Sequence, residues 1–439
     1  MFEKIAKQHW IILGAIGCVA VTARADISFE NIDQAAAEVQ PQVVEWRRWF
    51  HQNPELSNRE FKTSARIAEI LTEMGLQPKT GIAHTGVVAM IEGGKPGPLV
   101  AIRADIDALP VTEKTGLPFA STVRAEYNGQ ETGVMHACGH DAHIAMALGA
   151  AKMLNDMKAE LPGTVMMIFQ PAEEGPPVGE EGGAKLMLKE GLFDDGVPEA
   201  VFGIHVGITT EVDGGFATTP GPLMASADRW TLTVNGRQTH GAKPWDGVDP
   251  IVVSSQIIMA FQTIASRQLD VTKAPSIISV GRIAGGIRNN VIPDQVEMEG
   301  TIRTFDPEMR AYIHEAMKRT AVAIAESAGA SADFAVDPGG YPAVINDTAL
   351  TEQMWPVLQR VSGETPVVKI TPQTVAEDFS LFGEITPSLF LFLGSLPEGV
   401  DSSNAPTNHS PFFTIDEPDM ELGVRLFGQM VTEFLQSAD

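Results

Sequence analysis

Short apolar runs alternate with helical segments along much of the chain. The runs Gly86–Glu92, 99–104 (LVAIRA) and 164–170 (TVMMIFQ) have the length and composition of buried strands. Segments 33–50 and 144–157 carry the apolar spacing or the Ala/Leu/Met composition of helices. This alternation predicts an α/β fold in which helices cover the faces of a central mixed sheet.

A second pattern begins near residue 225. Three segments that alternate polar and apolar residues and two helical segments follow one another over about a hundred residues, in the order strand–helix–strand–strand–helix. This order predicts a small α+β domain of the ferredoxin-like type, inserted in the larger one. We therefore expect a larger α/β domain of residues 26–224 and 336–439, and an inserted domain of residues 225–335.

The first 25 residues have the layout of a secretory signal peptide. Lys4 and Lys7 precede an apolar stretch at residues 11–21, and residues 23–25 (ARA) have the small-x-small form of a cleavage site. We therefore expect an exported protein, periplasmic or secreted, and an uncleaved membrane anchor is the alternative. No later stretch is long and apolar enough to span a bilayer, so we expect no membrane contact after cleavage.

The net charge limits the classes of partner, and the cysteine count limits disulfide formation. The formal net charge of −25 argues against nucleic acid or an anionic membrane as a partner, and it is compatible with cation binding without showing it. Of the two cysteines, Cys18 would leave with the signal peptide, so Cys138 cannot form a disulfide within the mature chain. A lone thiol in an oxidising compartment is a liability unless it is buried or bound to metal.

The segment 135–143 (MHACGHDAH) concentrates metal-binding side chains. It holds His136, Cys138, His140 and His143, and thiolate with imidazole suits zinc or another late transition metal. Because Cys138 and His140 are two residues apart, an extended segment would point both side chains the same way. The cluster predicts a metal site, although His136 and His143 could instead serve packing or support the ligands.

Acidic residues follow the ends of two apolar runs. Asp105 and Asp107 lie in LVAIRADIDALP, and Glu173 and Glu174 lie in FQPAEE. Ligands bind at strand ends in α/β sheets, and in a turn one carboxylate can hold a metal while its neighbour moves protons. Each pair alone is a common surface feature, but beside a metal cluster we interpret them as parts of one site.

Eight motifs in this order resemble one known family. RADIDALP, HACGHDAH, FQPAEEG, GIHVG, NNVIP, GTIRTF, AEDF and NHSPFF are similar to motifs of the auxin-conjugate hydrolase and hippurate hydrolase branch of the zinc aminoacylase/carboxypeptidase family. The match extends from about Val39 to the C-terminus. The resemblance implies a metal-dependent amidohydrolase that cleaves the amide bond of N-acyl or N-aroyl amino acids.

The resemblance also implies a centre of two divalent metal ions, zinc in the first instance with manganese as the alternative. The residues at the matching ligand positions are Cys138, His140, Glu174, His205 and His409. Glu173 matches the general base, which acts on water activated by the metals, and Asp105 matches a carboxylate that orients a ligand or the base.

In that family the inserted domain is a lid and often a dimer interface, so a homodimer through residues 225–335 is expected. His240, Asn290 and Arg303 sit at the matching lid positions. His240 would donate to the oxyanion of the tetrahedral intermediate, from its own or a partner subunit. Arg303 and Asn290 would hold the substrate carboxylate, and the alternative for Arg303 is an ion pair with a neighbouring acid.

The chain departs from the family pattern in two places that bear on specificity. Residues 176–181 (PPVGEE) form an extra loop, which could shape the site entrance or simply lengthen a surface loop. Trp245 stands where many relatives carry histidine. The substrate therefore cannot be borrowed from any one relative.

Three other functions are compatible with these residues. An exported metallo-carboxypeptidase or dipeptidase acting on peptides needs the same metals and the same carboxylate clamp. A non-catalytic metal-binding protein would have no use for Glu173 beside the metal. A cysteine hydrolase using Cys138 with His140 would be inactivated by alkylation and indifferent to chelators.

Overall fold

The computed structural model describes residues 27–207 and 213–437. The predicted signal peptide lies outside these residues. None of the helices within them is long and apolar enough to cross a membrane.

Helices and strands alternate through the described residues. The α-helices are α1 (Phe29–Gln52), α2 (Phe61–Glu73), α3 (His140–Asp156), α4 (Gly183–Lys189), α5 (Pro250–Thr263), α6 (Pro307–Ser327), α7 (Thr348–Ser362), α8 (Ser380–Gly383) and α9 (Met420–Ser437). The strands are β1 (Lys79–Ile82), β2 (Gly86–Glu92), β3 (Lys95–Asp105), β4 (Arg124–Tyr127), β5 (Gln130–Gly133), β6 (Pro162–Gln170), β7 (Ala200–Gly207), β8 (Gly215–Thr218), β9 (Gly221–Met224), β10 (Asp228–Asn235), β11 (Thr239–His240), β12 (Ser276–Ala284), β13 (Val291–Ile292), β14 (Gln295–Thr304), β15 (Ser331–Val336), β16 (Val344–Asn346), β17 (Val368–Lys369) and β18 (Ser388–Gly394).

An eight-stranded sheet forms the centre of the larger part of the chain. Its strand order is β1-β2-β6-β3-β7-β18-β8-β17. Strands β6, β3, β7 and β18 run parallel to one another, whereas β1, β2 and β8 make antiparallel pairs. The prediction of an α/β fold with a central mixed sheet is therefore confirmed.

Two apolar layers cover this sheet because side chains alternate along each strand. On β3, Ile102 belongs to the cluster formed with α1, α3 and α9, whereas Ala101 belongs to the cluster formed with α4 and α8. Helix α3 is buried along nearly its whole length, since it packs against α1 and α9 as well as the sheet. This packing fixes the N-terminus of α3 at the sheet edge where the parallel strands end.

Residues 228–336 form a smaller unit, named the inserted unit below. Its antiparallel sheet has the order β12-β14-β10-β15. Helices α5 and α6 pack on one face around Trp230 and Phe261, whose rings lie 5.6 Å apart. The order βαββαβ with the middle pair β14-β10 is the ferredoxin-like arrangement. The boundaries at residues 225 and 335, and a role for this unit as a lid, stay predictions.

Candidate metal centre

The predicted ligands meet at the carboxyl ends of the parallel strands. Asp105 ends β3, Glu173 and Glu174 follow the end of β6, and His205 lies near the end of β7. His140 is the first residue of α3, which packs against the same strands. The strand-end logic of α/β sheets therefore brings together residues that are far apart in sequence.

The segment between Cys138 and His140 is not extended, and that expectation was wrong. Gly139 has a φ of 92°, in the left-handed region, and α3 begins at the next residue. A β-carbon at Gly139 would also lie 2.5 Å from a methyl carbon of Val206. The tight turn, rather than strand alternation, brings Cys138 and His140 to one place.

Two groups of candidate ligands share Cys138. The first comprises Cys138, His140 and His205, and the second comprises Cys138, Glu174 and His409. Within each group the ligand atoms lie within 4.8 Å of one another. Cys138 Sγ is 3.4 Å from His205 Nε2, and His409 Nε2 is 3.2 Å from Glu174 Oε1. The thiolate can therefore contribute to both groups, which is the layout that two neighbouring cations require.

An unpartnered buried atom shows that these residues suit a cation. His140 Nε2 is buried without a hydrogen-bond partner, which is costly unless an ion or water satisfies it. The other nitrogen of His140 donates to the carbonyl of Asp107 at 2.9 Å, and Nδ1 of His205 donates to the carbonyl of Val206 at 2.8 Å. Both rings therefore have an unprotonated Nε2, which is the nitrogen that can bind a metal when Nδ1 donates a hydrogen bond.

The pKa shifts of Cys138 and Glu173 also indicate that a bound cation would stabilise this cluster. Burial, reinforced by the carboxylates of Glu174 and Glu173, raises the pKa of the Cys138 thiol well above its ordinary value. Burial and the nearby Glu377 likewise raise the pKa of Glu173. A cluster that resists holding negative charge by itself is stabilised by positive charge placed among its members.

His143 and His136 lie outside the two groups. His143 accepts the N–H of Val206 at Nε2 (2.7 Å) and donates from Nδ1 to Asp105 Oδ1 (2.5 Å), so neither nitrogen is free. His136 is buried and both its ring nitrogens lack a partner, and burial lowers its pKa to about 3. Asp105 thus orients His143. The nearest carboxylate oxygen of Asp105 is 3.8 Å from Nδ1 of the predicted ligand His140.

Asp107 holds the turn that carries the two glutamates, a role that the sequence did not reveal. Its carboxylate accepts the backbone N–H groups of Glu173 and Glu174, both at 3.1 Å, and the hydroxyl of Ser57 at 2.7 Å. Its Oδ1 also lies 3.3 Å from His140 Nδ1. Burial alone would raise the pKa of Asp107, but the contacts with His140 and Ser57 outweigh burial and lower it.

Glu60 fixes the residue before this turn. Its carboxylate accepts the N–H of Ala172 at 2.9 Å and the hydroxyl of Thr85 at 2.6 Å. Ala172 has a φ of 53° and His409 a φ of 70°, left-handed values that non-glycine residues rarely adopt. Such strain persists only where the surroundings enforce it, and here it lies at His409 itself and at the residue before Glu173.

A cavity of about 510 Å³ opens onto the ligands. Its metal end is lined by Cys138, Glu173, Glu174, His205 and His409. The rest of the wall is mixed, with apolar Met224, Ile370, Val375 and Phe392 beside polar side chains such as Gln373, Glu377 and Asn408. A cavity that combines convergent polar groups with apolar side chains suits a small amphipathic molecule.

The residues predicted to bind substrate from the inserted unit do not line this cavity. His240 and Asn290 are exposed to solvent. Arg303 lines a second cavity, of about 590 Å³, together with the loop 176–181. In the described residues Arg303 forms no ion pair with an acid, and its Nη1 lies 3.4 Å from the carbonyl of Ser226. The alternative of a structural ion pair at Arg303 therefore finds no support in this geometry.

Comparison with known proteins places this site in a family. The model of peptidase family M20/M25/M40 matches residues 101–433. A thermostable carboxypeptidase 2 from Saccharolobus solfataricus is 38% identical over 406 residues, covering 92% of this chain and 98% of that protein. An N-acetyl-L-cysteine deacetylase from Bacillus subtilis is 40% identical over 382 residues, covering 86% of this chain and 85% of that protein.

A solved structure has a similar fold over most of the chain. The YXEP protein of Bacillus subtilis, described as a dinuclear metal binding peptidase from the M20 family, superimposes with a TM-score of 0.74 at 36% identity. The match covers 91% of this chain and 99% of that one. Hydrolysis of amide bonds is common to these relatives, whereas their substrates differ.

Proposed function

The chain belongs to peptidase family M20/M25/M40, and we propose on this basis that it hydrolyses the amide bond of N-acyl or N-aroyl amino acids. It is a hydrolase of linear amide bonds, as its relatives are. The observation that carries the narrower proposal is the shape of the site. The first cavity has, beside the predicted ligands, the apolar side chains of Met224, Ile370, Val375 and Phe392, against which an acyl or aroyl group can pack.

Two divalent cations, zinc or manganese, would be held by Cys138, His140, His205, Glu174 and His409. When bound, such ions lower the pKa of a water molecule and polarise the amide carbonyl. Thiolate and imidazole favour zinc, while the carboxylate tolerates manganese.

Glu173 is the residue placed to move the proton. Its carboxylate lies within 4.8 Å of ligand atoms of both His140 and Glu174, yet Glu173 is absent from the two groups that share Cys138. It can therefore take a proton from the attacking water and return it to the leaving amine. Asp107, which accepts the N–H groups of both glutamates, keeps the carboxylate of Glu173 facing that position.

Arg303 supplies the positive charge that a substrate carboxylate needs. It lines the second cavity without an acidic partner, and Tyr341 lines both cavities, so the two spaces adjoin. A substrate with its amide at the metals could place its acyl group among Met224 and Phe392 and its carboxylate at Arg303.

A peptide substrate is the second candidate, favoured by the similarity to a carboxypeptidase. The two functions are separated by kcat/KM for N-benzoylglycine and N-acetyl amino acids against dipeptides with the same C-terminal residue. The proposal expects the acyl amino acids to be preferred. Turnover of dipeptides alone would assign the peptidase function instead.

Chelation and alkylation separate the metal mechanism from a cysteine hydrolase. Removal of metal by a chelator should abolish turnover, and addition of zinc or manganese should restore it. A metal-loaded enzyme should resist iodoacetamide, because Cys138 is 7% exposed and would be held as a ligand. Rapid inactivation by alkylation with indifference to chelators would favour the cysteine hydrolase.

Export and self-association also belong to the proposal. The signal-like first 25 residues support a periplasmic or secreted location, which fractionation of the expressing cell would test. We propose a homodimer through the inserted unit, in which the exposed apolar residues Ile251, Val252 and Met259 of α5 would be covered.

A further inference from the structure

The second cavity has a wall that the family resemblance does not explain. The extra loop 176–181 lines it, and Glu180 at the end of that loop binds Arg59 at 2.6 Å and Asn58 at 3.1 Å. These contacts attach the loop to the turn before α2. The loop is therefore held in place as one wall of a cavity of about 590 Å³.

Most acids around this cavity are already paired. Glu180 pairs with Arg59, Glu181 with Lys189, Asp228 with Arg310, and Asp378 with Arg103. Asp337 is exposed and accepts the N–H of Gly339. Four of the five acids that line this cavity therefore have a cationic partner within 3.0 Å.

Two cations of the same cavity are not paired in this way. Arg303 has no acidic partner among the described residues, and Lys185 on α4 donates to the carbonyl of Pro338. A carboxylate is a stronger acceptor for an ammonium group than a neutral carbonyl, because the bond is then charge-assisted. The cavity thus offers two positive groups to an anionic ligand, in a chain whose net charge is −25.

We propose that this second cavity receives a leaving group with two carboxylates, so that N-acyl glutamate or N-acyl aspartate is the preferred substrate class. Arg303 takes the α-carboxylate and Lys185 takes the side-chain carboxylate. Tyr341 lines both cavities, so this site adjoins the cavity of the predicted metal ligands. The inference rests on the proposed function and deepens it.

The test compares kcat/KM for N-benzoyl-L-glutamate and N-benzoyl-L-glutamine, which have nearly the same shape and differ by one charge. The intact, metal-loaded enzyme should prefer the glutamate compound by about tenfold, as expected for one hydrogen bond to a charged group. The substitution Lys185→Met should bring this ratio close to one, and Lys185→Arg should retain most of the preference.

Lys189→Met is the matched control, because Lys189 lines the same cavity but is paired with Glu181. It should keep the ratio of the unmodified enzyme. Thermal melting and metal content establish that each variant is folded and loaded. A ratio near one in the unmodified enzyme, or a ratio that Lys185→Met leaves unchanged, would overturn the inference.

N-benzoylglycine separates this failure from failure of the proposed function. If it is hydrolysed while glutamate and glutamine compounds are not distinguished, the proposed function stands and the inference falls. If none of the three N-benzoyl compounds is hydrolysed by the metal-loaded enzyme, both fall together.

Discussion

Replacing Asp107 by asparagine tests whether the turn of Glu173 and Glu174 depends on a buried carboxylate. Oδ1 of Asp107 accepts the N–H of Glu173, and Oδ2 accepts the N–H of Glu174 and the hydroxyl of Ser57. An asparagine has one acceptor oxygen and one NH₂ donor. In either orientation of its amide, a backbone N–H of the turn faces another donor.

The energetic cost of Asp107→Asn follows from the acceptor oxygen that the substitution removes. A buried N–H left without an acceptor costs about 1–3 kcal/mol. A shift of this turn would also move Glu173, the proposed base, and Glu174, a proposed ligand. Each 1.4 kcal/mol of transition-state stabilisation that is lost lowers the rate about tenfold. We therefore expect Asp107→Asn to lower the free energy of unfolding by about 1–3 kcal/mol. We also expect a fall of about ten- to a hundredfold in kcat/KM.

The assay is kcat/KM for N-benzoylglycine on metal-loaded protein, with urea unfolding and metal analysis of the same sample. Asp347→Ala is the control, because it removes an acceptor for the N–H of Leu350 at the start of α7. That loss of a helix cap should cost about 0.5–2 kcal/mol of stability without lowering turnover. If Asp107→Asn behaves like this control, with turnover within about twofold of the unmodified enzyme, the positioning role is refuted.

Two further predictions concern other parts of the molecule. Burial and the charge of Asp107 raise the pKa of Glu60 to about 8. The folded chain therefore keeps a proton that the unfolded chain loses, so stability should fall as pH rises from about 4.5 to 8. Glu60→Gln should reduce this fall in urea unfolding compared at pH 5 and pH 8, and an unchanged slope would contradict it. Met259, 69% exposed on α5, is predicted to lie in a dimer interface. Met259→Glu should convert a dimer to a monomer in sedimentation equilibrium, and a monomeric unmodified protein would contradict the interface.

Hydrophobic patterning was enough to predict most of the fold. Strand β2 begins and ends at the predicted residues, because it is an apolar run bounded by a polar residue and glycine. Strand β15 was not predicted. Its six residues, SADFAV, alternate exposed and half-buried positions at the edge of the smaller sheet, so its apolar signal is weak.

The resemblance to the zinc aminoacylase/carboxypeptidase family is likewise confirmed at the level of the family. The assignment to its auxin-conjugate and hippurate hydrolase branch stays a prediction. The motifs HACGHDAH, FQPAEEG, GIHVG and NHSPFF hold the predicted ligands, whereas the relatives that match the chain are named for different activities.

The partners within the site were harder to predict than the ligands. Asp105 and Asp107 are two residues apart after one strand, and their spacing alone cannot decide which one holds the Glu173 turn. That depends on the path of the chain after Gln170, whose carbonyl accepts the N–H of Ile106 at 2.9 Å. The roles of Glu60 and Tyr341 depend on contacts between distant segments, which no local pattern encodes.

The most direct test of the central claim is the substitution Glu173→Gln, measured for both metal content and single-turnover rate. Because Glu173 is placed as the base and Cys138, His140, His205, Glu174 and His409 as ligands, the variant should bind two equivalents of metal. Its rate of amide hydrolysis should fall by about a hundredfold to ten-thousandfold, the usual contribution of a general base. Undiminished hydrolysis, or loss of both metals with the base, would contradict the mechanism.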